Sequence, residues 1–531
     1  MNAEPAYRIA ARNHPMAQPG RVAAGLVLSI VVLLGLTGLL DTLLHLQLWH
    51  PESAADHLDL SVAVDTLGNL TETLVAVLAV AVTVVAIVVE LAANRYSHEI
   101  TRLFLREPVN IVVLSLMVLT TVVAMWTVVA AAYTTGSEAA PLRGFILSLA
   151  LATLSVLALL PYMLFVFAFL SPLNIIRRIQ RDTMRQIGKA GKRDALRRQR
   201  RVLEGVDLLQ DVARSAMLQG DRVIALAAVD ALAELLADYA RVRSGLPQAW
   251  FTISDAVRGD PDFLALAPEY LEEMQARQDW LEQKVLRRYL TLIGQASPGS
   301  RDVAYLIGIN TARLAEAGGA DTDGLRVLVL RAFNSYLRTT IGNRDQRTAY
   351  YLMHLYRKLA SQLLHAGIAN TPAEIARHIG EYGVLAHKAG MSFLLETAAY
   401  DLADLIEAAA LTESGEVRDL LSVLLSLDEE VRQENQEESL FGVRRAQLRL
   451  ATFFLERNMQ VEAERIVLDL RQERLERLMR LRTALETDDR AQFWEMTDRG
   501  LNFAYLAPSR RRFLAPLFGM IQRQQVGDPV D

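Results

Sequence analysis

The sequence predicts an all-α protein in which a transmembrane domain of four helices is followed by a cytosolic, solenoid-like domain of α-helical repeats. Three observations predict this class. Long apolar runs without charged residues fill the first third of the 531-residue chain. A strongly basic stretch follows them, and the remainder shows helical periodicity without convincing strand alternation. A chain of this length can hold several domains or one long repeat array.

The net charge of −5 conceals an uneven distribution along the chain. Residues 1–176 hold 7 basic and 11 acidic residues, residues 177–201 hold 11 basic and 2 acidic ones, and residues 202–531 carry a net charge of −10. Because nucleic-acid affinity comes mainly from neutralised phosphates, the acidic C-terminal part argues against a nucleic-acid partner. The chain has no cysteine, which excludes disulfides, thiolate metal sites and a cysteine nucleophile.

Residues 1–20 are predicted to form a cytosolic tail and residues 21–170 the transmembrane domain. The four spans are predicted at about 22–40, 70–93, 108–133 and 144–170, each long enough to cross a hydrocarbon core of ~30 Å. A signal peptide is the competing interpretation of the first run. No small-x-small cleavage site follows it, however, so we interpret it as a retained anchor. Pro161 is expected to kink the fourth span.

The orientation follows from the distribution of positive charge between the loops. The loop between the first two spans contains six acidic residues and no Lys or Arg, so it is predicted to face outward. The second loop contains Arg95, Arg102 and Arg106, and the basic stretch follows the last span, so both are predicted to be cytosolic. Both termini are therefore expected inside.

The stretch Glu90–Leu114 begins ELAANRYS and ends RLFLREPVNIVVL. It resembles a widespread bacterial family of predicted integral membrane proteins whose function is unassigned. A weaker match covers residues 211–232, where Leu218–Arg222 replaces the Ser-Pro…Asn-Asp-Pro stretch usual in that family. The resemblance implies a membrane location and no activity, and with the orientation above it predicts a multi-pass protein of the bacterial inner membrane.

A basic juxtamembrane helix is predicted over residues 171–201, with Ser171 as the cap and Pro172 at the first helical position. Two interpretations of its charge remain open. The cations contact anionic lipid, each contributing about 1 kcal/mol near the surface; alternatively, they only determine the topology while the apolar stripe packs against other copies. The candidate lipid-binding residues are Arg177, Arg178, Arg181, Arg185, Lys189, Lys192, Arg193, Arg197, Arg198, Arg200 and Arg201.

Residues 202–531 are predicted to form the cytosolic helical-repeat domain. Glycines separate its amphipathic runs at nearly regular intervals, at Gly318, Gly342, Gly367, Gly390 and Gly415. Two such units make a hairpin of about 48 residues, close to the longest helical-repeat classes. The same pattern also permits an irregular helical bundle.

Several polar groups are candidates for weaker sites. Asp41, His45, Glu90 and Asn94 lie near the ends of the first two spans, where a structural role competes with a functional one. His50, Asp56 and His57 in the outer loop could hold a divalent ion. Their spacing fits no metal motif, and a solvated loop explains them equally well, so no metal or cofactor is predicted.

No nucleotide-binding, metalloprotease or hydrolase motif occurs in the sequence, and a non-enzymatic role is predicted. The predicted function is a scaffold or signal-transmitting module that meets anionic lipids and a cytosolic protein partner, with homo-oligomers expected. The alternative is an oligomeric, anion-preferring ion channel with a cytosolic vestibule. Its pore would use rings of Thr73, Thr83, Thr120 or Thr121.

Overall fold

The chain divides into two compact units, an N-terminal unit of residues 1–175 and a C-terminal unit of residues 176–531. The described residues are helical and include no β-strand, which confirms the all-α class. The computed structural model describes residues 60–95, 108–133, 142–169, 171–191, 194–296, 298–316, 322–427, 437–471, 473–488, 490–492, 499–500, 502–503 and 505–526.

Three long helices of the N-terminal unit are apolar enough to cross a membrane: α1 (Leu60–Arg95), α2 (Pro108–Tyr133) and α3 (Leu142–Phe169). Their apolar windows have mean hydropathies of 2.4, 2.4 and 2.3. The first predicted span, 22–40, lies outside the described residues, so the count of four stays a prediction. Helix α1 begins ten residues before the predicted span at residue 70, and Asp65 and Glu72 therefore lie inside it.

The three apolar helices pack against one another in pairs. Val85 of α1, Val113 of α2 and Tyr162 of α3 lie in one shared apolar core. Two hydroxyl–hydroxyl hydrogen bonds join α2 to α3, one between Thr120 and Ser155 at 2.8 Å and one between Thr127 and Ser148 at 3.1 Å. Pro161 lies inside α3, which remains a single helix to its end.

The segment predicted as one basic helix, residues 171–201, contains a helix end. Helix α4 (Pro172–Gly188) stops at a pair of closely spaced glycines, and α5 (Ala195–Gln219) begins after them. Gly188 and Gly191 both disfavour a continuous helix, because glycine loses more backbone freedom on ordering than other residues. A tight turn follows α5, with Gly220 at a φ of 73°, and α6 (Arg222–Val242) begins after it.

Fourteen more helices fill the described remainder of the C-terminal unit. They are α7 (Asp255–Arg258), α8 (Pro268–Arg277), α9 (Trp280–Gln295), α10 (Arg301–Glu316), α11 (Thr322–Gly342), α12 (Gln346–His365), α13 (Thr371–Lys388), α14 (Ser392–Leu411), α15 (Val417–Ser426), α16 (Glu437–Glu456), α17 (Gln460–Leu470), α18 (Leu475–Thr487), α19 (Pro508–Arg511) and α20 (Leu514–Val526). Short 3₁₀ turns lie at Arg243–Gly245, Gln248–Trp250 and Pro298–Ser300.

The long helices of this unit pack in a repeating order. Taken two at a time along the chain, they are α5/α6, α9/α10, α11/α12, α13/α14, α15/α16 and α17/α18, and the two helices of each of the first four pairs pack on each other. The first helix of each pair contacts the first helix of the next, and the second helix contacts the second helix of the next. The short helices α7 and α8 are inserted between the first two pairs. Two rows of helices result, each helix packing chiefly on its neighbours.

Glycines lie where the sequence pattern placed the ends of helices. Helix α11 ends at Gly342, and Gly415 lies between α14 and α15. Gly367 and Gly390 follow α12 and α13 with φ values of 71° and 81°, a region that residues with a Cβ rarely adopt. Gly318 lies outside the described residues.

Candidate functional site

A stripe of exposed cations runs along α4. Arg177, Arg181, Arg185 and Lys189 follow one another at intervals of four residues and are all exposed. The opposite face of the helix carries buried isoleucines at positions 175, 176, 179 and 187. We call these four cations the α4 basic stripe. The sharp division between its faces is typical of a helix that packs on protein on one side and meets a polar medium on the other.

Contacts within the C-terminal unit hold α4 against α5. The Thr183 side chain lies so close to Gly205 of α5 that a Cβ there would come within 2.0 Å of the hydroxyl. The Gln186 side-chain oxygen accepts hydrogen bonds from Arg198 at 2.8 Å and Arg201 at 3.4 Å. The Gln180 amide donates to Glu234 of α6 at 3.0 Å. The position of the stripe is therefore determined by packing with α5 and α6.

Acidic residues neutralise little of this charge. Asp182 accepts from Arg185 at 2.9 Å and lies 3.9 Å from Arg178. The Arg185 side chain is 67% exposed, so solvent screens this pair. Burial lowers the pKa of Arg178, Asp182 opposes that shift, and the neighbouring Arg181 and Arg185 add to it. The cations crowd one another, which favours an anionic partner at the surface.

The other predicted lipid-binding residues divide into three groups. Arg197, Arg200 and Arg201 are exposed on the first turns of α5. Arg178 and Arg198 are half-buried, the first beside Asp182 and the second through its bond to Gln186. Lys192 and Arg193 lie outside the described residues. The structure thus places two exposed basic groups on consecutive helices, but not the continuous basic helix that the sequence predicted.

Most of the predicted intramembrane and metal candidates fall outside the described part of the chain. These are Asp41, His45, His50, Asp56 and His57. Glu90 is exposed near the end of α1; Asn94 lies in the same helix, and its side chain is not described. Among the described residues, no group of three or more His, Cys, Asp or Glu side chains is placed to hold a metal ion.

The threonines proposed for a pore differ in position. Thr120 is fully buried and bonded to Ser155 between α2 and α3. Thr121 is half-buried, whereas Thr73 and Thr83 are exposed on α1, and each of these three hydroxyls donates to a carbonyl of its own helix. Thr120 is therefore an interhelical contact in this unit.

A buried lysine centre was missed at the sequence level. The Lys284 ammonium on α9 is 0% exposed and lies 2.7 Å from Asp260 and 2.8 Å from both Asp207 and Asp262. Arg288, one turn further on, reaches Asp207 at 2.8 Å and Asp262 at 3.0 Å. Burial raises the pKa of Asp207, and the hydrogen bond and charge of Lys284 oppose that rise. The centre joins α5, the inserted segment and α9.

A second charged region, also missed, lies on the helices α12, α14 and α16. Asp401 of α14 is 1% exposed and contacts Arg357 of α12 at 3.2 Å and Arg499 at 2.7 Å. Burial raises the pKa of Asp401, and both arginines oppose the rise. Burial together with Arg499 and Arg357 lowers the pKa of His354 to about 3. Asp401 and Arg499 lie 98 residues apart in sequence, so no local pattern reveals their contact.

The long apolar helices, followed by a helical C-terminal unit, define the class of the chain as an integral membrane protein. These features do not assign a function. Residues 20–243 match the model of a family described as "Predicted membrane protein (DUF2254)". The matched region contains α1–α6 and both stretches on which the sequence resemblance rests, Glu90–Leu114 and residues 211–232. Searches of curated proteins and of solved structures gave no match.

Proposed function

We propose that this chain is a non-enzymatic scaffold of the bacterial inner membrane, in which a four-helix anchor carries a cytosolic helical solenoid that binds a protein partner. The observation that carries the proposal is the repeating packing order of the six pairs from α5/α6 to α17/α18. Stacked helical pairs that contact only their neighbours build extended faces, and such faces commonly bind other proteins.

The described charged residues support a structural rather than a catalytic role for the interior of the C-terminal unit. Lys284 is enclosed by carboxylates at 2.7–2.8 Å, and its ammonium group is fully engaged in these ion pairs. The sequence contains no motif for nucleotide binding or hydrolysis. A non-enzymatic scaffold needs neither a free nucleophile nor a cofactor.

The α4 basic stripe supports a contact with anionic lipid headgroups. It follows α3 by two residues, so it begins where the last apolar helix ends. Clusters of Lys and Arg next to a span attract the anionic surface of a membrane at about 1 kcal/mol per residue. We propose that this contact holds the first solenoid pair against the lipid, with both termini on the cytosolic side.

A lipid-binding measurement tests this role. Full-length protein in mild detergent is titrated with fluorescent phosphatidylglycerol, and anisotropy reports binding. The triple variant Arg177→Gln/Arg181→Gln/Arg185→Gln is expected to bind roughly 100-fold more weakly, from about 1 kcal/mol per cation. Added salt should weaken wild-type binding as it screens exposed charges.

The matched control removes the same charge elsewhere. Arg377, Arg418 and Arg471 are exposed in the C-terminal unit, outside the α4 basic stripe. Their replacement by Gln should leave phosphatidylglycerol binding within two-fold of wild type. Equal losses in both triple variants would show that only net charge matters, and no loss in either would leave the stripe as a determinant of topology alone.

An oligomeric, anion-preferring channel is the alternative. The exposed hydroxyl-bearing residues Thr73 and Thr83 on α1 favour it, because a polar path between copies needs such groups at a helix surface. The α4 basic stripe would then attract anions to the inner mouth. Planar-bilayer recordings of purified protein under voltage and tension test this alternative, because the absence of current would rule out a channel.

A further inference from the structure

One face of the C-terminal unit is formed by the second helices of three successive pairs, α12, α14 and α16. We call it the α12–α14–α16 face. Residues 499–511 are here named the C-terminal segment; its described residues contact all three helices, and those before α19 are not helical. The segment thus lies across helices that precede it by up to 149 residues.

The first anchor of this segment is Arg499, whose side chain is 1% exposed. Its guanidinium donates to Asp401 at 2.7 Å and to the Tyr350 carbonyl at 2.6 Å. The same group lies 4.0 Å from the centre of the Tyr350 ring. A planar guanidinium that meets a carboxylate, a carbonyl and an aromatic ring at once is recognised by shape and charge, and lysine cannot reproduce these contacts.

Two further anchors follow. The Phe503 ring stacks on Tyr400 with centroids 4.7 Å apart and planes inclined by 7°. Arg510 makes a bidentate pair with Glu407, with both nitrogen–oxygen distances 2.9 Å, and donates to Glu456 at 3.0 Å. It also lies 4.9 Å from the centre of the Phe453 ring. Charge-assisted bidentate pairs are the strongest hydrogen bonds that side chains make.

Among the side chains of the α12–α14–α16 face that form ion pairs with one another or with the segment, charge is balanced only when the segment is present. The face contributes the five carboxylates of Glu396, Asp401, Asp404, Glu407 and Glu456 and the three guanidinium groups of Arg357, Arg445 and Arg449. Arg499 and Arg510 supply the two missing positive charges. Without these two arginines, the largely buried carboxylates of Asp401 and Glu407 would each lose one contact with a cation.

The floor of the face has its own internal support. Arg445 donates to Tyr400 at 2.6 Å and to Glu396 at 2.5 Å, which fixes the ring that receives Phe503. Glu396 lies against Gly442 of α16, where a Cβ would come within 2.3 Å of its side chain. These contacts join α14 to α16 directly and involve no residue of the segment.

We propose that the α12–α14–α16 face is a binding groove for a peptide bearing two arginines around a central aromatic residue, and that the C-terminal segment occupies it in cis until a partner with this chemistry displaces it. The inference depends on the proposed scaffold function, because that function supplies the protein partner. A groove that keeps its arrangement when the segment departs lowers the cost of capturing a peptide, because fewer groups must be ordered on binding.

Peptide binding to full-length protein in detergent tests the proposal. The probe is a fluorescent peptide of residues 499–513, read by anisotropy. The variant Arg499→Gln/Arg510→Gln frees the groove and is expected to bind the probe at least ten-fold more tightly than wild type. Adding Asp401→Asn and Glu407→Gln should abolish that gain, and a probe with Gln at both arginines should bind at least ten-fold more weakly.

The matched control is Arg490→Gln/Arg512→Gln, which removes two exposed arginines flanking the anchors and should bind the probe as wild type does. A second measurement avoids variants that perturb folding. Since the chain has no cysteine, Ala507→Cys gives a single labelling site within the segment. Excess unlabelled peptide should change the label's fluorescence, whereas the Gln peptide should not.

The outcomes separate this proposal from the scaffold function. No binding to the freed groove and no displacement of the label would overturn the proposal and make the segment a fixed part of the fold. Binding that ignores Asp401 and Glu407 would overturn it as well. In either case, phosphatidylglycerol binding by the same preparations would still test the membrane contact of the scaffold.

Discussion

Replacing Lys284 by methionine tests how the centre of the helix pairs α5/α6 and α9/α10 is held. The substitution keeps the length of the side chain but removes a charge that is 0% exposed and lies within 2.8 Å of three carboxylates. Arg288 still reaches Asp207 and Asp262, so Asp260, 6% exposed, loses most. Removing one partner of a buried ion pair costs about 3–5 kcal/mol, and we expect the lower part of that range.

The nearby tryptophans provide the assay. Trp280 begins α9 and its ring lies 5.1 Å from that of Trp250, so both report unfolding around the lysine. Tryptophan fluorescence during heating of full-length protein in detergent should show a transition lowered by about 5 °C or more. Lys284→Met/Asp260→Asn should recover part of the loss, because it removes the uncompensated carboxylate.

A surface lysine provides the reference for this experiment. Lys388 is exposed at the end of α13, and Lys388→Met should change stability by no more than about 0.5 kcal/mol. If Lys284→Met lowered stability no more than Lys388→Met does, the ion pairs would contribute little to folding. That result would refute a strong contribution of the buried lysine to stability.

Three further predictions concern packing, pH and topology. Gly205→Ala should cost about 1–3 kcal/mol by overpacking against Thr183, and Thr183→Ala in the same chain should restore most of it in a thermal melt. The pKa of His354 is about 3 in the fold against 6.5 unfolded, so the unfolded chain binds the extra proton between these values. Stability should therefore fall by at most about 2 kcal/mol from pH 7 to pH 5, and His354→Leu should remove that dependence in denaturant titrations. A cysteine at Ser53 should react with an impermeant maleimide in intact cells and one at Ser97 should not; the reverse pattern would invert the predicted orientation.

The sequence alone sufficed for the features that depend on local composition. A run of apolar residues crosses a hydrocarbon core whatever surrounds it, so α1–α3 follow from residue type and length. The ends of α11, α12 and α13 follow from glycines that terminate helices. The α4 basic stripe was visible as arginines four residues apart, because that interval places side chains on one helix face.

Tertiary structure decided everything that joins distant parts of the chain. The predicted basic cluster did not indicate that Arg198 would bond to Gln186, or that Arg178 would be partly buried. The pairing of Arg499 with Asp401 spans 98 residues, and no periodicity encodes such a contact. Burial makes these pairs strong, and burial depends on which helices stack. Local pattern therefore predicted the helices and one charged face, whereas the lysine centre and the ion pairs of the α12–α14–α16 face exist only because stacking brings their residues together.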